Sequence, residues 1–251
     1  MKNYDWTEIG GARQAFLTTH WSLVEDIKKG GDQDRALIGL LMERYWKPVY
    51  CYLRCKGYDN ERSKDLTQGF FHEVILNRDL VDRADPSMGS FRSLLLYSLN
   101  HYVVDGQRKE AAHKRIPKDK LVQLDIADLS ALPEIVDEMN PEETFNYTWK
   151  ADLLERVLKQ VKGNYISQGM DKHWYVFRDR LLQPLMEDRQ PPSMKQICQQ
   201  YSIENEATAS HMLETVKRRF QNVLREHVRQ TVLTGVIIDE ELKEILKFFE
   251  K

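Results

Sequence analysis

Cysteine is scarce in this chain, with three residues among 251: Cys51, Cys55 and Cys198. A sparse, odd set argues against a disulfide framework and fits a reducing compartment. Cys51 and Cys55 share a helical face, but no nearby His or further Cys completes a zinc set. They therefore read as packing thiols. Long apolar runs are missing too. No stretch approaches the roughly 20 apolar residues that a membrane span needs. Met1 to Gly10 lacks the basic segment and apolar core of a signal peptide. The expectation is a soluble cytoplasmic chain. Strand-like alternation is essentially absent, and there is no internal repeat. His-Glu-x-x-His, Gly-x-Gly-x-x-Gly, Gly-x-Ser-x-Gly and the P-loop pattern are all absent. His72-Glu73 and Asp171-Lys172-His173 stand as isolated polar clusters. No catalysis, cofactor or metal is expected.

What is present is enough to build a core: 41% of residues are hydrophobic and 30% charged. The formal net charge is only -2, but its distribution is uneven. From Arg92 to Lys120 there are seven Lys/Arg against three Asp/Glu. From Leu121 to Asn146 there are seven Asp/Glu and no Lys/Arg. From Lys217 to Arg229 there are five Lys/Arg and one Glu. A basic, acidic, basic order gives two patches suited to phosphate and one segment that repels it.

Helical periodicity dominates. Leu37, Leu40, Leu41, Tyr45 and Val49 predict a helix over about 34–54. Gly57 is its stop signal, and Asp59 or Asn60 caps the next helix. There, Leu66, Phe70, Phe71, Val74 and Ile75 form the expected apolar stripe, with Asp65, Gln68, Gly69, His72 and Glu73 opposite. Asp85-Pro86-Ser87-Met88-Gly89-Ser90 reads as a turn. A third helix then buries Phe91, Leu94, Leu95, Leu99, Tyr102 and Val103.

After an acidic stretch with Pro117, Pro133 and Pro141, helical pattern returns at Trp149, Leu153, Leu154, Val157 and Val161. Trp174, Phe177, Leu181 and Leu185 follow, with Pro184 kinking or ending that helix. Residues 193–201 make a short helix with Met194 and Ile197 inward, and 202–205 a turn. A long helix over about 206–232 buries Met212, Leu213, Val216, Phe220, Val223 and Leu224. Two helices on so short a turn describe a helix-turn-helix. In the tail, Leu242, Ile245, Leu246 and Phe249 suit a last docking helix.

The helix from Phe91 carries Arg92, Tyr97, Asn100, His101, Arg108 and Lys109, followed by Lys114 and Arg115. Basic groups suit phosphate, amide and imidazole groups reach base edges, and an outward tyrosine offers a stacking face worth about 1–3 kcal/mol per unpaired base. A solvated helix with a tyrosine at the core edge would have the same composition. Gly69 inside a helix costs about 1 kcal/mol relative to alanine, which close approach by another surface would justify.

Two blocks, Asp65-Leu66-Thr67-Gln68-Gly69-Phe70-Phe71 and Gly89-Ser90-Phe91-Arg92, resemble region 2 of bacterial sigma factors of the extracytoplasmic-function (ECF) type. The resemblance is to a divergent ECF-like group and extends over about residues 18–233. It implies an all-α, two-domain protein without enzymatic activity. Residues 1–17 are then an N-terminal extension, 18–115 the region 2-like bundle and 116–146 an acidic linker. Residues 147–233 form the region 4-like helix-turn-helix domain, and 234–251 a helical tail.

By the same resemblance, Asp65, Leu66, Gln68, Gly69 and His72 face core RNA polymerase. The helix from Phe91, with Arg92, Tyr97, Asn100, His101, Arg108, Lys109, Lys114 and Arg115, engages the −10 element of promoter DNA. Thr208, Ser210, His211, Lys217, Arg218 and Arg219 engage the −35 element. The opening Glu206-Ala207-Thr208-Ala209-Ser210-His211 departs from the family's common pattern, which carries Arg or Lys near this point. An inhibitory anti-sigma-like partner is implied as well. Two alternatives stay open: a sigma-like interaction module that no longer reads promoters, and a helix-turn-helix regulator that acts without polymerase.

Overall fold

The computed structural model describes residues 34–76, 90–110 and 140–229, with Leu80, Asp239, Leu242, Lys243 and Ile245. Most of these residues are helical, and none lies in a strand. They fall into two compact units, one reaching to Trp149 and the other beginning at Lys150.

In the first unit, α1 spans Asp34–Cys55 and packs on α2, Asn60–Phe70. The turn between them follows its residue types. Gly57 takes a φ of 91°, a left-handed conformation that costs glycine little. Asp59 then caps α2 by accepting a 2.7 Å hydrogen bond from the Arg62 amide. Beyond Phe70 the helix widens into a π-helical segment, Phe71–Leu76.

The buried face of α2 runs through Ser63, Thr67, Gly69 and Phe70, with Phe71 following, whereas Leu66 is only half-buried. Two polar residues enter the core because the Thr67 hydroxyl donates to the Ser63 carbonyl at 2.7 Å, which satisfies it internally. This phase corrects the expected faces: Gly69 belongs inside, and Leu66 sits at the edge. Leu37, Leu40, Leu41, Val74 and Ile75 have side chains outside the described residues.

Helix α3, Phe91–Glu110, buries Phe91, Leu95, Leu99 and Val103 at a strict spacing of four. Leu94 and Tyr102, expected inside, flank this seam half-buried. Phe91 tilts against Tyr45 with ring centroids 5.5 Å apart, and Phe70 meets Tyr102 edge-on at 5.6 Å.

Helix α4 runs from Pro141 to Ser167. Asn140 and Glu143 cap it reciprocally: the Glu143 amide donates to Asn140 Oδ1 and the Asn140 amide to Glu143 Oε2. Residues 141–146, read from sequence as the end of the linker, are thus helical. Phe145 and Trp149 are buried in the first unit.

In the second unit, Leu153, Leu154, Val157 and Val161 carry the buried stripe of α4 onward. Helix α5, Asp171–Phe177, packs against the long α8, Glu206–Arg229, with Phe177 and Phe220 rings 6.1 Å apart. A π-helical turn, Arg178–Leu182, and a short α6, Gln183–Met186, follow α5. The wide turn changes which residues point inward. Asp179, Leu182 and Pro184 are buried, while the expected Leu181 and Leu185 are half-buried. Pro184 sits in the first turn of α6, where a missing amide hydrogen costs little.

Helix α7 spans Met194–Tyr201 and opens with a capping box between Ser193 and Gln196. Ser202 then turns the chain with φ 50° and ψ 54°. Ile203 is buried, and its amide donates to the Cys198 carbonyl at 2.9 Å. Helix α8 buries Ala209, Leu213, Val216, Phe220, Val223, Leu224 and Val228, while Met212 is half-buried. Leu242 and Ile245 are helical and buried; Leu246 and Phe249 lie outside the described residues.

Candidate nucleic-acid interface

The α2 surface in the first unit is narrower than its sequence suggests. Asp65 is exposed, and Leu66, Gln68, His72 and Glu73 are half-buried. Gly69, one turn beyond Asp65, is buried. His72 Nδ1 is enclosed and has no hydrogen-bond partner.

On α3 the outward face is aromatic. Tyr97 is 64% exposed, and its ring meets His101 edge-on at 4.4 Å, with His101 also exposed. Val104, one turn further, is exposed as well. Two other predicted contacts are engaged inside the unit. The Arg92 guanidinium lies 4.6 Å from the centre of the Trp149 ring. Asn100 Oδ1 accepts from the Tyr52 hydroxyl at 3.1 Å. Burial, helped by the negative charge of Glu142, pushes the Tyr52 phenol up to about 12, so it stays a donor at neutral pH. Arg108 and Lys109 stand in the last turns of α3, with side chains outside the described residues. Lys114 and Arg115 lie outside the described residues altogether.

The helix-turn-helix of the second unit is α7, the turn 202–205 and α8. Asn205 Oδ1 accepts from the Thr208 amide at 2.8 Å and from the Thr208 hydroxyl at 3.0 Å, so Thr208 serves the helix cap. At about 100° per residue, Ser210 and Lys217 fall on one flank of α8, and Thr208 and Arg219 on the other. Lys217 bonds Glu214 at 3.0 Å. His211 and Arg218 occupy the outer crest, which continues through exposed Asn222, Arg225 and Arg229. Arg225 pairs with Asp239 at 3.6 Å and Arg229 with Glu226 at 3.9 Å. The six residues expected to contact −35 DNA therefore divide among three sides of the helix rather than one.

Near the start of α8, His173 stacks on Tyr165 at 5.8 Å. Burial, with the charge of His211 added, lowers the His173 imidazole pKa. Burial raises the Tyr165 phenol, while the Arg219 and Arg218 charges oppose that shift.

A polar network missed by sequence reading joins the end of α5 to α7. The carboxylate of buried Asp179 accepts from Arg178 Nε at 2.5 Å, from Gln200 Nε2 at 3.1 Å and from the Tyr201 hydroxyl. Arg178 also donates to the Tyr201 oxygen at 3.2 Å and lies over the Tyr175 ring, which stacks on Tyr201 at 5.7 Å. Burial alone would raise the Asp179 carboxyl; bonds from Arg178 and Tyr201 outweigh it and hold the group below the ordinary carboxylate range. Burial and the bond to Asp179 push the Tyr201 phenol up to about 12. Residues 22 positions apart carry no local periodicity that would announce such a pairing.

Cys51 is buried and Cys55 and Cys198 half-buried, all as free thiols. Burial pushes the Cys51 thiol up to about 11, which keeps it protonated and unreactive near neutral pH. Among the described residues, no group of three or more His, Cys, Asp or Glu could hold a metal ion. None of their helices is long and apolar enough to cross a membrane. No known protein family, curated protein or solved structure matches the chain.

Proposed function

We propose that this chain is a non-catalytic transcription initiation factor of the sigma type, acting on core RNA polymerase and promoter DNA. The observation that carries the reading is the exposed Tyr97–His101 pair on α3. An outward tyrosine braced edge-on by a histidine is suited to stack an unpaired base. Polymerase would meet the α2 surface around Asp65, Gln68 and His72. Helix α8 would approach duplex DNA with its crest, led by His211 and Arg218. An inhibitory protein partner that covers these faces in the resting state completes the proposal.

The test is a pull-down of purified core RNA polymerase with the full chain and no inhibitor. Retention in a stoichiometric complex is expected. Absence of any complex sinks the sigma reading.

One observation favours a second reading, a sigma-like interaction module that no longer reads promoters. Arg92 and Asn100 are engaged within their own unit. Genome-wide occupancy separates the two: shared −10 and −35 elements under the occupied sites support the first reading, and random occupancy the second. Sequence-specific occupancy without polymerase binding would instead indicate an independent regulator.

A further inference from the structure

The face that α5 and the π-helical turn turn toward α7 is continuous. Lys172, in the first turn of α5, donates to the Ser202 carbonyl at 3.2 Å. One turn on, Tyr175 stacks against Tyr201. At the far end, Arg178 and Asp179 hold the Tyr201 hydroxyl, and Asp179 also holds the Gln200 amide. Lys172, Tyr175 and Arg178–Asp179 recur at three-residue spacing, so one helical face grips three consecutive residues, Gln200, Tyr201 and Ser202. Those three end the first helix of the helix-turn-helix and begin its turn. The grip is polar and directional, unlike the apolar contact of Phe177 with Phe220 beside it.

We propose that this face is a positioning clamp for the helix-turn-helix, with Asp179 as its pivot and the π-helical turn as the device that inserts it. A regular helix would continue the inward phase of Trp174 and Phe177 to Leu181. The extra residue of the π turn instead brings Asp179 and Leu182 inside. A buried carboxylate with three donors fixes its partners in direction as well as distance. The ionisable groups that meet it are Arg178 from its own turn and Tyr201 from α7; Gln200 is neutral. The clamp sets where α7 ends, and through the turn 202–205 it sets where α8 begins. Its consequence for DNA rests on reading α8 as a recognition helix; the clamp itself does not.

Hydrogen exchange on the full chain without ligand tests it. In Asp179→Asn, amides of the last turn of α7 and of Ile203 should exchange about tenfold faster or more, the scale of a lost charged hydrogen bond. Central amides of α4 and α8 should keep their wild-type protection. Tyr201→Phe, which keeps the ring and loses the hydroxyl, should give a smaller rise at the same amides. Lowering pH through the carboxylate range should erode this local protection in wild type and leave Asp179→Asn flat, after correction for intrinsic exchange. Unchanged protection in α7, a uniform loss across the whole unit, or the same pH response in both proteins would overturn the clamp.

In parallel, binding to a promoter duplex should weaken about tenfold in Asp179→Asn with an unchanged salt slope, because no phosphate contact is removed. Local release of α7 with wild-type DNA affinity would overturn the positioning role. If wild type binds no promoter DNA while α7 responds as expected, the clamp stands and the recognition-helix reading falls.

Discussion

The Arg92 guanidinium lies over the ring of Trp149, 4.6 Å from its centre, and the indole is only 2% exposed. A side chain with the charge expected of a DNA contact is thus also part of the packing of its own unit. A cation over a desolvated indole contributes about 1–2 kcal/mol. Arg92→Ala should lower the unfolding free energy of the first unit by that amount in a urea titration followed by tryptophan fluorescence. Arg92→Lys should recover only part, because ammonium stacks less well than a planar guanidinium. A stability change below about 0.5 kcal/mol would show that the contact carries no weight.

Tyr97 makes the opposite case. Its ring is mostly in solvent and meets His101 edge-on. Tyr97→Ala should change stability by less than about 1 kcal/mol. If the proposed function holds, it should still reduce binding to a single-stranded −10 oligonucleotide in the polymerase complex by about tenfold, the size of one lost base stack. Equal binding by the two proteins would remove α3 from the DNA side.

Ser202 adopts a left-handed conformation, at φ 50°, where a side chain is strained. Ser202→Gly should raise the thermal midpoint modestly, reflecting up to about 1 kcal/mol. Ser202→Val should lower it by more, since branching at Cβ is least tolerated there. Identical midpoints in the two variants would contradict the geometry.

The Asp179–Tyr201 pair makes the second unit sensitive to pH at both extremes. Asp179 has a folded pKa below its ordinary value, so its contribution is full above the carboxylate range. That contribution is lost as pH falls through the depressed value. Tyr201 is raised to about 12, so its contribution is full below the ordinary phenol range near 10 and is lost as pH rises from there toward 12. Denaturation curves across pH should show Asp179→Asn flattening the acid limb and Tyr201→Phe reducing the alkaline limb. Unaltered limbs would mean that the network does not couple to folding.

Much of the helical layout is legible because its signals are local. Gly57 and Asp59 act within one turn of themselves, and their stop and cap roles follow from side-chain chemistry alone. The stripe of α4 and most of that of α8 also follow from period and polarity. The phase errors have physical causes. In α2, Thr67 closes its hydroxyl on Ser63 and so takes the core place that hydrophobicity assigns to Leu66. After Phe177 the π turn adds a residue, and a count in steps of 3.6 then lands on Leu181 instead of Leu182. The candidate site is legible in residue type but not in side: spacing along α8 cannot say that Lys217 turns to Glu214 while Arg218 stays on the crest. Arg92 over Trp149 and Asp179 beneath Tyr201 join residues far apart in sequence, and only the folded chain brings them together.

Helix α4 begins in one unit and ends in the other, with Phe145 and Trp149 completing the core of the first. That order matters on the ribosome. When residue 115 has left the exit tunnel, α1, α2 and α3 have all been made, yet buried Phe145 and Trp149, the latter against Arg92 of α3, have not. The nascent chain must keep apolar surface open while the acidic stretch 121–146 is synthesised, a time of chaperone dependence and protease risk. Chains stalled with residue 115 exposed should therefore be cut readily within α1–α3, and chains exposing residue 150 should resist. Equal resistance at both lengths would show that the first three helices close without the fourth.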